Sequence, residues 1–523
     1  MEIINNILAS INQRYSIVIL FGALFISLFF GLSKRKGLKI FIIIIAALSL
    51  IAAFVSNIYN FRSSGAFSSF LFGLEAQQVI EICVVLFIAL NILIFISLNN
   101  INKSQFIKII IIFLFSVCSL VLLSLSSNFI MIFVSFTGLT LGIFQLLAVL
   151  NNIDLRSYLV RFFLVSTLAV IILLAGFSVF YGSTDFKNFT QIFESKSLMA
   201  SPLLAVGIIL FSAGIYLYLF IFPFQSSYLK ILKRCEQSSM LVIWFLYFPA
   251  GIIMLMKINK ILFYFIEKNS FYLTAVFIFI AFVCILCGNI GAIKTKSIRR
   301  ILSFIFLSFL GVSILSYAMV GAGLASKDRV EWFFMANIVL LVLSYFPIYG
   351  VIATIEKSKK TSSLDNDSLE NLKGFARVNK YIGVNFIIIL LSFLGLIGTA
   401  GFINRYFYIA PFFKLISFLP EKTAVTSNMV FSILITAAAI IAFIFLAVNI
   451  LRLIIVALVK PKITRDMGAD LFENKVDGSI QFAKFYYIYI TAFSLIIIAA
   501  GVIGLLEILN INLGLAPFKI TGF

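Results

Sequence analysis

The sequence contains no histidine among its 523 residues, and that absence narrows the chemistry before any motif is sought. Without imidazole there is no His-ligated haem, no histidine metal ligand and no histidine proton shuttle. Cysteine is scarce as well: Cys83, Cys118, Cys235, Cys284 and Cys287 are the five. Most sit inside apolar runs, where Cys behaves as a small hydrophobe. Cys284 and Cys287 form a CxxC within AFVCILCGN, which reads as helix packing and not as a redox or metal site. Charge is short, at 11% of residues against roughly 25% in soluble domains. Acid is shorter still, with 20 Asp+Glu against 40 Lys+Arg. No P-loop, nucleotide fingerprint or Cys-rich cluster occurs, so no active site of the chain's own is expected. The opening MEIINNILASINQRY lacks the basic start and cleavage site of a secretory signal, so the first apolar helix is expected to direct insertion itself.

What fills the sequence instead is hydrocarbon, at 62% hydrophobic residues and a mean hydropathy of +1.15. No water-soluble fold covers that much apolar surface, so the excess faces lipid. The apolar runs are helix-length and lack the alternation of outer-membrane strands. In hydrocarbon only helices or closed barrels satisfy the backbone, and helices fit. A span needs about 20 residues. Spans are expected near 15–33, 39–57, 78–98, 107–126, 129–150, 158–181 and 202–224. Seven more follow near 239–257, 270–293, 301–322, 332–355, 381–403, 427–458 and 480–507, the 427–458 run being long enough to tilt or break. The fold class is therefore all-α, a polytopic membrane protein of about fourteen helices.

The net charge of +20 belongs to topology and not to nucleic acid. Roughly two thirds of the Lys and Arg fall in loops after odd-numbered spans. These include Lys34–Lys39, Lys294–Arg300 and Lys357–Lys380. One face thus collects the basic loops, which puts both termini on the outer side. The polar segment 356–380 reads as an inside linker.

Two spans carry breakers. AGIYLYLFIFPFQSS has Pro223 inside the seventh, and SFLGLIGTAGFINRYF has Gly395, Gly398 and Gly401 before Arg405 in the twelfth. Broken helices at corresponding places in two halves point to inverted repeats around a buried ion path, and ordinary packing kinks are the plainer alternative. Five-helix blocks give the boundaries: residues 1–106 (helices 1–3), 107–260 (helices 4–8), 261–466 (helices 9–13) and 467–523 (helix 14).

Four ordered stretches then resemble a known family. They are FVSFTGLTLGIFQLL with AGFSVFYGSTDFKNF, GNIGAIKTKSIRRILSFIFLSFLG, SLENLKGFARVNKYIGVNFIIILLSFLGLIGTAGFINRYF, and AVNILRLIIVALVKPKITRD. Over about residues 125–470 the chain resembles the antiporter-like membrane subunits of respiratory NADH:quinone oxidoreductase (complex I), most of all subunit N. No single stretch is diagnostic; their order and spacing carry the likeness. It implies fourteen helices, two inverted five-helix repeats, no bound cofactor, and membrane partners within a proton-translocating complex.

The family's charged residues carry over poorly. Thr137 stands where the family has an intramembrane Glu on the fifth helix. Aligning on Pro223 and Phe224 puts Tyr218 at the partner Lys and Gln225 at a His. Phe248 falls near the eighth-helix Lys and Phe309 near the tenth-helix His, while Arg405 replaces the twelfth-helix Lys and alone keeps its charge. A proton relay needs groups that gain and lose protons, which buried Lys and His do and Arg does not. The candidates for a path are Arg405, Arg161 and Glu81. Against each stands an interfacial reading: snorkelling for Arg405 and Arg161, a paired or interfacial charge for Glu81. Lys257 and Lys260 read as interfacial anchors, and the 61 Phe as packing without special roles.

The expected function is thus a subunit N-like component of a proton-translocating NADH:quinone oxidoreductase with a degenerate proton path. It would lie with other respiratory subunits in a bacterial inner membrane or, alternatively, a mitochondrial one. The alternatives are a subunit of a multi-subunit Na+/H+ antiporter, a non-conducting structural paralogue, and a free-standing fourteen-helix exporter, which the motif order disfavours.

Overall fold

A computed structural model describes residues 15–31, 38–64, 67–68, 73–74, 76–98, 103–151, 155–184, 202–221, 224–268, 270–358, 368–378, 380–408, 427–459 and 477–508. The chain divides into two compact units, Met1–Leu262 and Phe263–Phe523. It is an all-α polytopic membrane protein. Eleven of the described helices are long and apolar enough to cross a membrane, and Tyr15–Phe30, Val206–Tyr218 and Lys380–Leu394 are shorter apolar helices.

The first unit begins with α1 (Tyr15–Gly31) and α2 (Leu38–Ser64). A short antiparallel pair, Phe67–Ser68 with Gly73–Leu74, leads to α3 (Ala76–Leu98). Then come α4 (Lys103–Leu125), α5 (Phe129–Leu150), α6 (Arg156–Thr184) and α7 (Pro202–Tyr218). The amphipathic α8 (Gln225–Arg234) follows a break, and α9 (Gln237–Val242) runs through a π turn, Ile243–Tyr247, into α10 (Phe248–Lys268). The stretch Ser238–Ile258 is buried along its whole most apolar window, whereas α2 shows most of its own. A helix apolar on every side belongs at a centre or in lipid, and this one is central.

The second unit holds α11 (Ser270–Lys294), α12 (Ile298–Gly321) and α13 (Lys327–Ser358), the last with Pro347 inside it. The expected linker contains two short helices, α14 (Leu369–Leu372) and α15 (Phe375–Val378). After them come α16 (Lys380–Leu394), a helical stretch α17 over 400–408, α18 (Ser427–Leu458) and α19 (Asp477–Ile508). The long run at 427–458 neither breaks nor shortens. Helices α11 and α12 approach closely. A Cβ on Gly311 would stand 3.0 Å from the Ala281 carbonyl oxygen, and one on Gly288 2.6 Å from the Ser308 amide nitrogen. Small residues let backbones meet this way where lipid supplies no hydrophobic drive between helices.

Each unit fastens one helix C-terminus with a cation from a later helix. Lys257 Nζ donates to the Ser124 and Ser126 carbonyls at 2.8 and 2.7 Å, closing the end of α4. Arg452, on α18, donates to the carbonyls of Ala292, Ile293 and Thr295 at 3.3, 2.7 and 3.2 Å, closing α11. The last carbonyls of a helix have no partner within it, and its negative dipole end favours a cation. Lys257 is therefore a half-buried cap and not merely an interfacial anchor; the Lys260 side chain lies outside the described residues.

The linker 356–380 is tied at its second half. Leu369 N–H donates to the Lys296 carbonyl at 2.8 Å, and Ser368 pairs with Ser297, which caps α12.

Candidate functional site

The two broken helices share a backbone device. At the end of α16, Gly395 N–H donates to Ser392 O at 3.0 Å and Leu396 N–H to Leu391 O at 3.2 Å. At the end of α7, Phe220 N–H donates to Leu217 O at 3.1 Å and Ile221 N–H to Tyr216 O at 3.0 Å. Both are Schellman caps, in which the residue after the cap turns left-handed and the next two amides fold back onto the last turn. In α16 that residue is Gly395, with φ +78°, and Gly398 follows at +88°. In α7 it is Phe220, at φ +52°. A left-handed non-glycine residue costs about 1–2 kcal/mol, so something must hold Phe220 there. Helix α7 thus ends ahead of Pro223, which itself lies outside the described residues.

What holds it is an aromatic cluster. The Phe220 ring lies 5.2 Å from Phe162, 5.8 Å from Tyr247 and 5.9 Å from Tyr228, centroid to centroid. Tyr218 and Tyr247 stack at 4.1 Å with 14° between planes, and Phe136 covers Tyr218 at 4.5 Å. Phe248 meets Tyr228 at 4.9 Å and Tyr247 at 5.8 Å. The Tyr247 hydroxyl donates to the Tyr218 carbonyl at 2.8 Å, a group the break frees, and lies 2.8 Å from Ser166 Oγ. Tyr218, Tyr247 and Phe248 are all fully or almost fully buried. Among the described residues this cluster contains no charged side chain.

The second break is polar. Gly401 opens α17 against α16: its N–H donates to Ser392 Oγ at 3.2 Å, and a Cβ there would run into the Ser392 carbonyl oxygen. Gly395 leaves room for the Arg405 side chain, whose Cγ a Cβ would meet. Arg405 is 6% exposed, so it is buried and does not snorkel. Its Nη2 donates to the Phe393 carbonyl at 2.6 Å, and its guanidinium carbon stands 4.5 Å from the Phe443 ring centre.

Beside it a chain of amides runs through the unit. Asn404 Nδ2 donates to Asn337 Oδ1 at 2.7 Å, Asn337 Nδ2 to Ser313 Oγ at 3.3 Å, and Ser313 Oγ to Phe309 O at 3.0 Å. Tyr408 donates to the Val312 carbonyl at 2.5 Å. A cavity of about 20 Å³ adjoins Arg405, Asn404, Ser344, Ser392 and Phe309. That is room for at least one small occupant.

The structure thus brings Arg405 and Phe309 to one cavity, and Tyr218 and Phe248 to one cluster. Gln225 opens α8, half-buried. Thr137 stays on α5 and donates to its own helix at Val134 O, 3.0 Å. Arg161 is exposed on α6 and joins neither place. Glu81 is buried on α3, where Asn57 of α2 donates to Val79 O, two residues before it, at 3.1 Å. All five cysteines are free thiols.

The reading that no phenylalanine has a special role is corrected. Phe220 takes the left-handed cap and Phe443 faces the guanidinium, roles that composition does not reveal. Asn337, Asn404, Ser344 and Tyr408 were not anticipated either. Uncharged amides inside apolar runs, as in MANIVLL and GFINRY, were the available signal.

The family model described as NADH:quinone oxidoreductase/Mrp antiporter, TM, matches residues 126–420, more than half of the chain. A curated relative, NADH-quinone oxidoreductase subunit N of Rickettsia typhi, is 23% identical over 395 residues, covering 72% of this chain and 79% of the relative. The fold is similar to a chain in the structure of respiratory complex I from Thermus thermophilus with bound aureothin. There the TM-score is 0.67 at 16% identity, over 96% of this chain and 98% of that one. It is also similar to a chain of the Mrp complex from a Dietzia species, with a TM-score of 0.73 at 15% identity, over 94% and 95%. At such identities the solved structures establish the shared fold and nothing finer.

Proposed function

The chain belongs to the NADH:quinone oxidoreductase/Mrp antiporter transmembrane family, and from that premise we propose that it is a subunit N-like membrane subunit of a proton-translocating NADH:quinone oxidoreductase. The observation that carries this is the match to a relative bearing the subunit N name across 79% of that relative's length. In this reading the chain binds no cofactor and works beside other membrane subunits, while electron transfer proceeds elsewhere in the complex. It crosses a bacterial plasma membrane fourteen times, with both termini on the outer side and helices 4–8 and 9–13 as inverted repeats. The matching Schellman breaks and the paired C-terminal cation caps support that repeat.

The path itself is reduced. The first break carries tyrosine and phenylalanine where a relay needs titratable groups, and the second keeps a charge that does not titrate. Arg405 then acts by its field on protons held by waters or neighbouring chains. Purifying the tagged chain from its native membrane tests the assignment. Other respiratory subunits should accompany it, and their absence would remove the reading. The similarity to the Mrp complex favours a second reading, a subunit of a multi-subunit Na+/H+ antiporter; antiporter subunits in the same purification would select it. In the reconstituted complex, Arg405→Ala should lower the protons moved per electron pair. An unchanged ratio would take Arg405 out of the path.

A further inference from the structure

The cavity beside Arg405 has an unusual charge balance. A guanidinium keeps its proton at any accessible pH, so burial cannot be relieved by neutralisation. A buried cation is strongly destabilising unless a counter-charge or a full set of acceptors faces it. Among the described residues Arg405 has one carbonyl, Phe393 O, and one ring face, Phe443. Among the described residues no carboxylate pairs with it.

The rest of the lining adds donors. Ser344 is 2% exposed and lines the cavity, yet its hydroxyl makes no hydrogen bond to the described residues. Ser392 Oγ accepts from Gly401 N–H, which leaves its own O–H to give. Helix α17 begins at Ala400, beside the cavity-lining Gly401, and presents the positive end of its dipole there. A cation, two hydroxyl donors and a helix N-terminus converge on a space for a small occupant.

We propose that this cavity binds a monatomic anion, a halide such as chloride, as the resident counter-charge of Arg405. Asn404 Oδ1 is a buried acceptor without a donor among the described residues. The site needs no partner subunit, and so it stands or falls apart from the respiratory assignment.

Radiolabelled chloride binding to the full chain in nanodiscs, with whatever subunits accompany it, tests the site. One saturable site per chain is expected, displaced by bromide and not by gluconate. Ser344→Ala, which removes a single donor, should weaken binding about tenfold. Arg405→Gln should abolish it; if that variant does not assemble, Ser344→Ala carries the test alone. No saturable chloride, or chloride binding unaltered in Ser344→Ala, would overturn the proposal and leave the cavity to water.

Discussion

At Leu219–Phe220 and at Leu394–Gly395 the chain leaves its helix by the same pair of returning hydrogen bonds, but what surrounds each turn differs. The first turn is filled with rings: Tyr218, Tyr247, Phe162 and Phe220 leave a buried space without a charge among the described residues. The second is kept open by glycines and lined by Arg405, Asn404, Ser344 and Ser392. One backbone motif therefore supports a packed aromatic plug in one unit and a small polar cavity in the other. A break in a membrane helix frees carbonyls, and those must be answered. Tyr247 answers one at Tyr218 O, and Arg405 answers another at Phe393 O. A neutral hydroxyl closes the question, while a guanidinium brings a charge that itself needs an answer.

Substitutions can break this contrast. The largest effect is expected from Tyr247→Ala, which empties the centre of the aromatic stack and should cost about 3–5 kcal/mol. Thermal unfolding of the purified variant measures it; a loss below about 1 kcal/mol would mean the plug is loosely packed. Gly395→Ala comes next, at about 2–4 kcal/mol, because it forces a side chain into a left-handed turn and onto Arg405 Cγ. The opposite change at the equivalent turn, Phe220→Gly, releases backbone strain but forfeits ring packing. It should still be destabilising, by about 2 kcal/mol net on these terms. A stabilised Phe220→Gly protein would show that the rings contribute little. Tyr247→Phe keeps the stack and removes only the hydroxyl, for about 1 kcal/mol, typical of hydrogen bonds inside membranes. Ser344→Ala is expected to change stability least, within about 0.5 kcal/mol, when chloride is replaced by gluconate.

Much of this was readable in the sequence, for stated physical reasons. Hydrocarbon-length runs announce helices, and Gly395 and Gly398 announce a turn because only glycine enters the left-handed region without cost. The first break was legible only in outline. Pro223 drew attention to the right segment, but the chain turns at Phe220, whose conformation is set by its ring neighbours and not by its own preference. The polar cavity was half legible: Arg405 stood out as a charge in an apolar run. Asn337 and Tyr408 did not, because their partners lie on other helices, and Ser344 is an ordinary helical serine until the cavity beside it is seen. Lys257 shows the same limit, since its partners on Ser124 and Ser126 are backbone carbonyls of another helix.

The contrast between the two breaks is tested most directly by a high-resolution map of the chain within its native membrane assembly. Ordered density for a single small occupant is predicted against Arg405 and Ser344, and none between Tyr218, Tyr247 and Phe162. A file of waters threading the tyrosine stack, with the Arg405 cavity collapsed, would contradict it.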